Sequence, residues 1–299
     1  MRLSTTIPRM SLHRRGLSLI FGCLIASALA HGASAQQTAP PASGARRLLL
    51  PRRIVSGERA TLAVLDVNGR LTPGVTVNFS NGDRLTTDAT GRALFVAPLN
   101  PGVIFGSIAG RMGRVATAIL SPSEAASTSI EVSSAPRVAS LTDRFELFGK
   151  SFCGDADANQ VTIAGQAAIV LASSPTALVV LPPPELQPGG ASVKISCAKR
   201  QAPPFSITLV ELELKANSSP LKPDEHRTLT VRVRGTTGKI ALEARNLAPE
   251  ITELSGGNPV RATSSGGLEN FARFEVVGRQ NGSFLISIRL VTSLGRPLP

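Results

Sequence analysis

The sequence predicts an all-β protein built from several β-sandwiches, which follow an N-terminal export signal. Short runs of alternating apolar and polar residues recur along the chain, and glycine, proline, asparagine and aspartate separate them. No convincing amphipathic helix of ten or more residues occurs after residue 35. Many short strands without helices are typical of sandwiches and barrels, in which sheets cover a shared apolar core.

The first 35 residues have the order of parts found in a signal peptide. Four arginines precede an apolar run from Leu17 to Ala30, and Ala33–Ala35 supplies a small-x-small cleavage site. The run is about 14 residues long, whereas a membrane-spanning helix needs roughly 20. Lipidation at Cys23 is an alternative, but much of the apolar run follows that cysteine. We therefore expect an extracytoplasmic protein (secreted, periplasmic or cell-surface) that starts near Gln36 and has no transmembrane segment.

Removal of this signal leaves a basic chain, because the net charge falls only from +12 to +8. Four of the remaining charges flank a short apolar stretch: Arg46, Arg47, Arg52 and Arg53. Such a basic arm can contact an anionic envelope surface through long-range attraction, and a solvated linker is the alternative interpretation. Binding of nucleic acid is disfavoured, since the protein is exported and no aromatic residues interleave with the basic ones.

Two cysteines remain after the signal, Cys153 and Cys197. An even pair in an exported protein usually forms a disulfide, which here would close a loop of 45 residues. The only histidine after residue 35 is His226, so the cysteines lack partners for a metal site. We predict a disulfide, no metal and no cofactor.

Composition and turn signals divide the chain into five segments. We expect a signal peptide over 1–35, a flexible basic leader over 36–49, and three Ig-like sandwiches over 50–120, 128–204 and 205–299.

The first sandwich resembles the bacterial Ig-like and carboxypeptidase-regulatory-like domains over residues 50–120. The resemblance rests on turn chemistry and alternation in Asp66–Gly69, Pro73–Phe79 and Thr87–Ala93. Val75, Val77 and Phe79 are expected on one face of a strand. The resemblance implies a structural or adhesive role and carries over no catalytic residues.

The second sandwich resembles the IPT/TIG domain, an Ig-like fold. Five stretches match in order and spacing: Pro136–Leu141, Phe145–Phe152, Val161–Gly165, Ser174–Pro182 and Gly189–Ser196. The chain departs from the family pattern by lacking a Gly between Gly149 and Phe152, where the family often carries a second small residue. The family serves as a spacer or binding module in many proteins, so the resemblance implies fold far better than function.

The third sandwich shows the alternation of an antiparallel sheet with one wet face. It is clearest in Thr208–Lys215, Arg227–Arg234, Ala272–Val276 and Phe284–Leu290.

Few side chains suit catalysis or metal binding. His226 stands alone in a turn, where it lacks a nucleophile to activate. Asp155, Asp157 and Asn159 have the one-three-five spacing of a calcium loop, but Gln160 replaces its glycine and Gln166 replaces its bidentate glutamate.

Glu211 and Glu213 share one face of a strand, about 7 Å apart by the pleat repeat. Ion pairs with Arg232 or Arg234 on the same face are favoured over a pair of glycosidase carboxylates.

These observations favour a non-enzymatic adhesion, spacer or scaffold module. An accessory module that binds polysaccharide or another envelope polymer is the alternative, although the chain has no tryptophan or tyrosine for stacking on sugars. The expected partner is a protein or an envelope polymer.

Overall fold

The computed structural model describes residues 46–125, 127, 129–215 and 220–295. Over these residues the fold is all-β, with three sandwiches that follow one another along the chain. Its helical content there is limited to the turn-length α1 (Pro122–Ala125) and the 3-10 turn Ala156–Ala158. No helix within the described ranges has the length and apolar character to cross a membrane. The predicted signal peptide and residues 36–45 of the predicted leader lie outside the described residues.

The first sandwich packs two sheets, in the orders β6–β3–β1 and β2–β8–β7–β4–β5. Strands β1 to β8 are Arg47–Leu49, Arg53–Val55, Arg59–Leu65, Thr76–Phe79, Arg84–Thr86, Arg92–Val96, Gly102–Ile108 and Val115–Leu120. Val75, Val77 and Phe79 all point into the core, which confirms their predicted face. Strand β1 lies within the segment predicted as a leader, because Leu48 and Leu49 are apolar and become buried against the sheet.

The second sandwich packs β14–β15–β11–β9 against β13–β12–β16–β18, and β10 runs parallel to β18. Strands β9 to β18 are Glu131–Pro136, Val138–Ser140, Phe145–Lys150, Asn159–Ile163, Gln166–Ala167, Ile169–Ser174, Ala177–Leu181, Gly189–Cys197, Arg200–Gln201 and Phe205–Lys215. Its core lies between the two sheets and includes Leu147, Leu178 and Ile195.

Strand β18 is shared between the second and third sandwiches. Its first half pairs with β16, and its second half pairs with β19 (His226–Arg234). Leu209 is buried in the second core, whereas the next residue, Val210, is buried in the third. The predicted boundary at 204/205 precedes this strand, and the change of core falls at residues 209–210. A single strand therefore connects the two sandwiches without a linker.

The third sandwich packs β18–β19–β23–β21 against β22–β20–β24. Strands β20 to β25 are Ala241–Asn246, Thr252–Leu254, Val260–Thr263, Phe271–Gly278, Ile286–Leu290 and Leu294–Gly295. Leu229, Val231 and Val233 are buried together, as their alternation predicts. After β24 the chain returns to the second sandwich, where β25 pairs with β9.

The first and second sandwiches share a buried junction. Strands β3 and β14 meet at the pair Thr61–Ser173, beside a small apolar cluster of Leu49, Ala63, Leu65, Leu171, Ala172 and Val179. The hydroxyls of Thr61 and Ser173 both donate to the carbonyl oxygen of Gly154, at 2.9 and 2.7 Å. The Thr61 oxygen also accepts the N–H of Ala156. Buried polar groups are thus paired across the junction, which fixes its geometry.

Candidate functional site

The predicted basic arm is part of the folded junction. Arg46 directly precedes β1, and Arg47 lies in it. Arg52 forms an ion pair with Glu146 of the second sandwich, with its Nε 3.0 Å from Oε2. The Arg53 guanidinium lies 5.2 Å from the ring centroid of Phe148. Arg52 and Arg53 therefore contribute to docking of the first two sandwiches, beyond the solvated or surface-adsorbed role expected of an arm.

A cleft of about 280 Å³ lies where all three sandwiches meet. Arginines supply most of its charged lining, which consists of Arg47, Arg52, Asp143, Arg144, Glu146, Glu243, Arg261 and Arg289. Five arginines face three carboxylates, so two positive charges are in excess. A second hollow, of about 480 Å³, lies between the first two sandwiches and shares four of these residues: Arg47, Arg52, Arg144 and Glu146. The two hollows therefore meet along a basic edge, and we refer to the first as the arginine-lined cleft.

Glu243 is the most buried charge of this cleft, with only 3% of its side chain exposed. It lies on the central strand β20, directly opposite Arg261 of β22 and Arg289 of β24. Arg261 donates to Oε2 through Nε at 3.1 Å, and Arg289 donates to Oε1 through Nε at 3.0 Å and through Nη2. The cross-strand register thus holds one carboxylate between two guanidinium groups.

These hydrogen bonds hold the pKa of the Glu243 carboxyl below its ordinary value. The contact with Arg289 contributes most and that with Arg261 adds to it, while burial acts in the opposite direction. A depressed folded-state pKa stabilises the fold above the unfolded pKa, and this contribution is lost as the pH falls through the folded one.

We expect Glu243→Gln to lower the free energy of unfolding at pH 7 by about 1–3 kcal/mol, because a buried charged acceptor is lost. The gap from the wild type should narrow as the pH falls below the ordinary glutamate pKa of about 4.3. Urea unfolding, followed by circular dichroism at pH 7 and at a pH below the ordinary glutamate pKa, measures the free energy of unfolding of both proteins. Glu253→Gln is the control, since Glu253 pairs with Arg279 at an exposed site. An undiminished gap in acid would contradict this account.

The cysteine pair forms a disulfide in the structure. Cys153 follows β11, Cys197 ends β16, and their Cα atoms are 6.0 Å apart. The Asn159 side chain braces the first cysteine, since its Oδ1 accepts the N–H of Cys153 and its Nδ2 donates to the Cys153 carbonyl. The bond therefore connects the end of one sheet to the other across the second core.

The remaining sequence candidates do not converge on one site. Asp155 caps the 3-10 turn by accepting the N–H of Asp157, whose own carboxylate contacts Arg92 at 3.0 Å. His226 lies at the exposed start of β19. Glu211 pairs with Arg234 at 3.5 Å, which confirms one of the two ion pairs favoured from the sequence. Among the residues that the structure describes, no group of three or more histidine, cysteine or acidic side chains is arranged to hold a metal.

No family model and no curated protein matches the sequence. Solved structures that resemble it include SGBP-B of the mixed-linkage glucan utilization locus of Bacteroides ovatus, in complex with a mixed-linkage heptasaccharide. That match has 14% identity and a TM-score of 0.33, over 80% of this chain and 72% of the other. The BSP domain of a biofilm associated protein matches at 13% identity and a TM-score of 0.26, over 54% and 28%. Surface layer protein SbsC, domains 1–6, matches at 13% and 0.19, over 85% and 39%. Similarity at this level carries no function over to the present chain.

Proposed function

We propose that this chain is an exported, non-enzymatic scaffold or adhesion module of the cell surface, made of three directly coupled Ig-like sandwiches. The observation that carries the proposal is the absence of a linker between the second and third sandwiches, where β18 belongs to both. The polar junction at Thr61 and Ser173 couples the first two in turn. Sandwiches coupled in this way hold surfaces at set distances, which is what a spacer or scaffold requires.

The sequence supports export and a modular origin. Residues 1–35 have the parts of a signal peptide, with processing expected before Gln36. The first sandwich resembles bacterial Ig-like domains, and the second resembles the IPT/TIG domain, which serves as a spacer or binding module. A disulfide between Cys153 and Cys197 suits an oxidising compartment outside the cytoplasm.

A non-enzymatic role agrees with how the reactive side chains are used. Glu211 is paired with Arg234, and Asp157 with Arg92, so both carboxylates have structural partners. His226 lies at the exposed start of β19 and does not line the arginine-lined cleft. We assign none of these groups to a reaction.

A second candidate function is binding of an envelope polymer, and the arginine-lined cleft favours it. The cleft is a concave surface with convergent polar groups from three sandwiches, as binding sites commonly are. A scaffold that also binds an envelope polymer would be retained at the cell surface.

Co-sedimentation of the exported protein with envelope and exopolysaccharide fractions of the producing organism tests both functions. We expect sedimentation with the envelope fraction at low salt. Retention at high salt would indicate recognition that does not rest on charge alone, whereas loss would indicate binding driven by charge. Absence of the protein from both fractions at either salt would contradict a role in binding envelope material, and its recovery in the cytoplasm would contradict export.

A further inference from the structure

We propose that the arginine-lined cleft binds an oxyanion, carboxylate or phosphate, carried on an acidic polymer of the envelope. This inference rests on the proposed envelope-polymer function and names the chemistry of its ligand. Each sandwich supplies at least one arginine to the cleft: Arg47 and Arg52 from the first, Arg144 from the second, and Arg261 and Arg289 from the third. The complete site therefore exists only when all three are docked.

Two arginines of the cleft, Arg52 and Arg261, are contacted by its carboxylates and keep part of their guanidinium groups available. Arg52 contacts Glu146 through Nε, and Arg261 contacts Glu243 through Nε. About two thirds of each arginine side chain is exposed, at 68 and 69%. A guanidinium has five N–H donors in a planar fork, so both side chains retain Nη donors for a ligand. Because the acidic partners already fix them, little ordering remains to be done on binding.

The charge balance of the cleft selects an anion over a neutral sugar. Five arginines against three carboxylates leave a positive excess that attracts an oxyanion. The planar fork of arginine matches the geometry of carboxylate and phosphate oxygens. Neutral sugars are commonly held by stacking on tryptophan or tyrosine, and the chain contains neither. Phe145, the aromatic residue of the lining, is only 4% exposed.

Two other ion pairs provide a matched control. Arg234 pairs with Glu211, and Arg279 pairs with Glu253, with 57 and 56% of the arginine side chains exposed. Both arginines belong to the third sandwich, and neither lines the cleft. Arg234→Gln/Arg279→Gln therefore removes the same charge as Arg52→Gln/Arg261→Gln, from arginines of comparable exposure.

Isothermal titration with an oligogalacturonate, its methyl ester and a polyphosphate of similar length tests the inference on the full exported protein. We expect at least one acidic probe to bind, the uncharged ester not to bind, and Arg52→Gln/Arg261→Gln to raise the Kd at least about tenfold. The control double variant should change it less than about threefold. The ratio of the two affinities shows whether the cleft prefers the carboxylate or the phosphate probe.

The acid and its ester are compared on the unaltered protein. This part of the test therefore does not depend on whether a variant folds. Circular dichroism melting checks that both double variants remain folded. Equal weakening by the two double variants, or equal binding of acid and ester, would overturn the inference. An exported protein that co-sediments with envelope material but ignores both acidic probes would leave the proposed function standing and refute this ligand.

Discussion

Replacement of Cys153 and Cys197 by alanine is expected to lower the free energy of unfolding by about 3–4 kcal/mol. The two residues are 44 positions apart, and closing a loop of that length restricts the unfolded chain by about this amount. Alanine is the appropriate replacement because Cys197 is buried, with 2% exposure, and a serine hydroxyl there would add a separate desolvation cost.

Circular dichroism in urea measures this loss, since a chain without tryptophan or tyrosine has little intrinsic fluorescence to follow. Reduction of the wild-type protein provides the control, because it opens the same loop without changing the sequence. The reduced protein and the double variant should unfold at similar urea concentrations, and the variant should not respond to reductant. A loss below about 1 kcal/mol would show that the bond contributes little beyond the packing around it.

The inward faces of strands could be predicted from the sequence because a sandwich buries one side of each strand. Val77 and Phe79 of the first sandwich, and Leu229 and Val231 of the third, follow this rule and are buried. The turn at Asn68-Gly69 could also be predicted from the sequence. Gly69 has a φ of 80°, a conformation that glycine adopts without strain, and a glycine between two apolar runs therefore indicates such a turn.

Strand β18 shows where alternation stops being informative. Leu209 and Val210 are neighbours that point to opposite faces, yet both are fully buried, because the strand passes from one core to the next. A pattern of period two cannot show such a change, since no turn or break in composition marks it. The unit boundary is set by which strands pair with each half of β18, and that information is non-local.

The arginine-lined cleft could not be predicted from the sequence either, because its contacts are also non-local. Glu243 stands between the buried residues Leu242 and Ala244, and its partners lie 18 and 46 positions away. The available signal was a glutamate among apolar residues of a strand, which indicates a paired charge without identifying the partner. Arg52 and Arg53 were visible as a basic cluster, but their contacts with Glu146 and Phe148 depend on how two sandwiches dock.

Gly154→Ala is expected to destabilise the protein by about 3 kcal/mol, the upper end of the usual cost of over-packing. A methyl group at this position would lie 1.9 Å from the carbonyl oxygen of Arg59, and backbone atoms cannot yield as a flexible side chain can. The same glycine presents the carbonyl that accepts from Thr61 and Ser173. The first sandwich must therefore move away from the second, which also separates the arginines of the cleft.

The location of the increased hydrogen exchange in Gly154→Ala distinguishes opening of the junction from general destabilisation. We expect faster hydrogen exchange at the amide of Ala156, which donates to Thr61 across the junction, and unchanged exchange in β19 and β23 of the third sandwich. Gly190→Ala is the matched control, because a methyl group there meets no atom within 4 Å. If the two variants unfold alike, or if exchange in Gly154→Ala rises evenly over all three sandwiches, the junction does not depend on the close approach at Gly154. Loss of oxyanion binding in Gly154→Ala, with the arginines unaltered, would connect docking of the sandwiches to formation of the cleft.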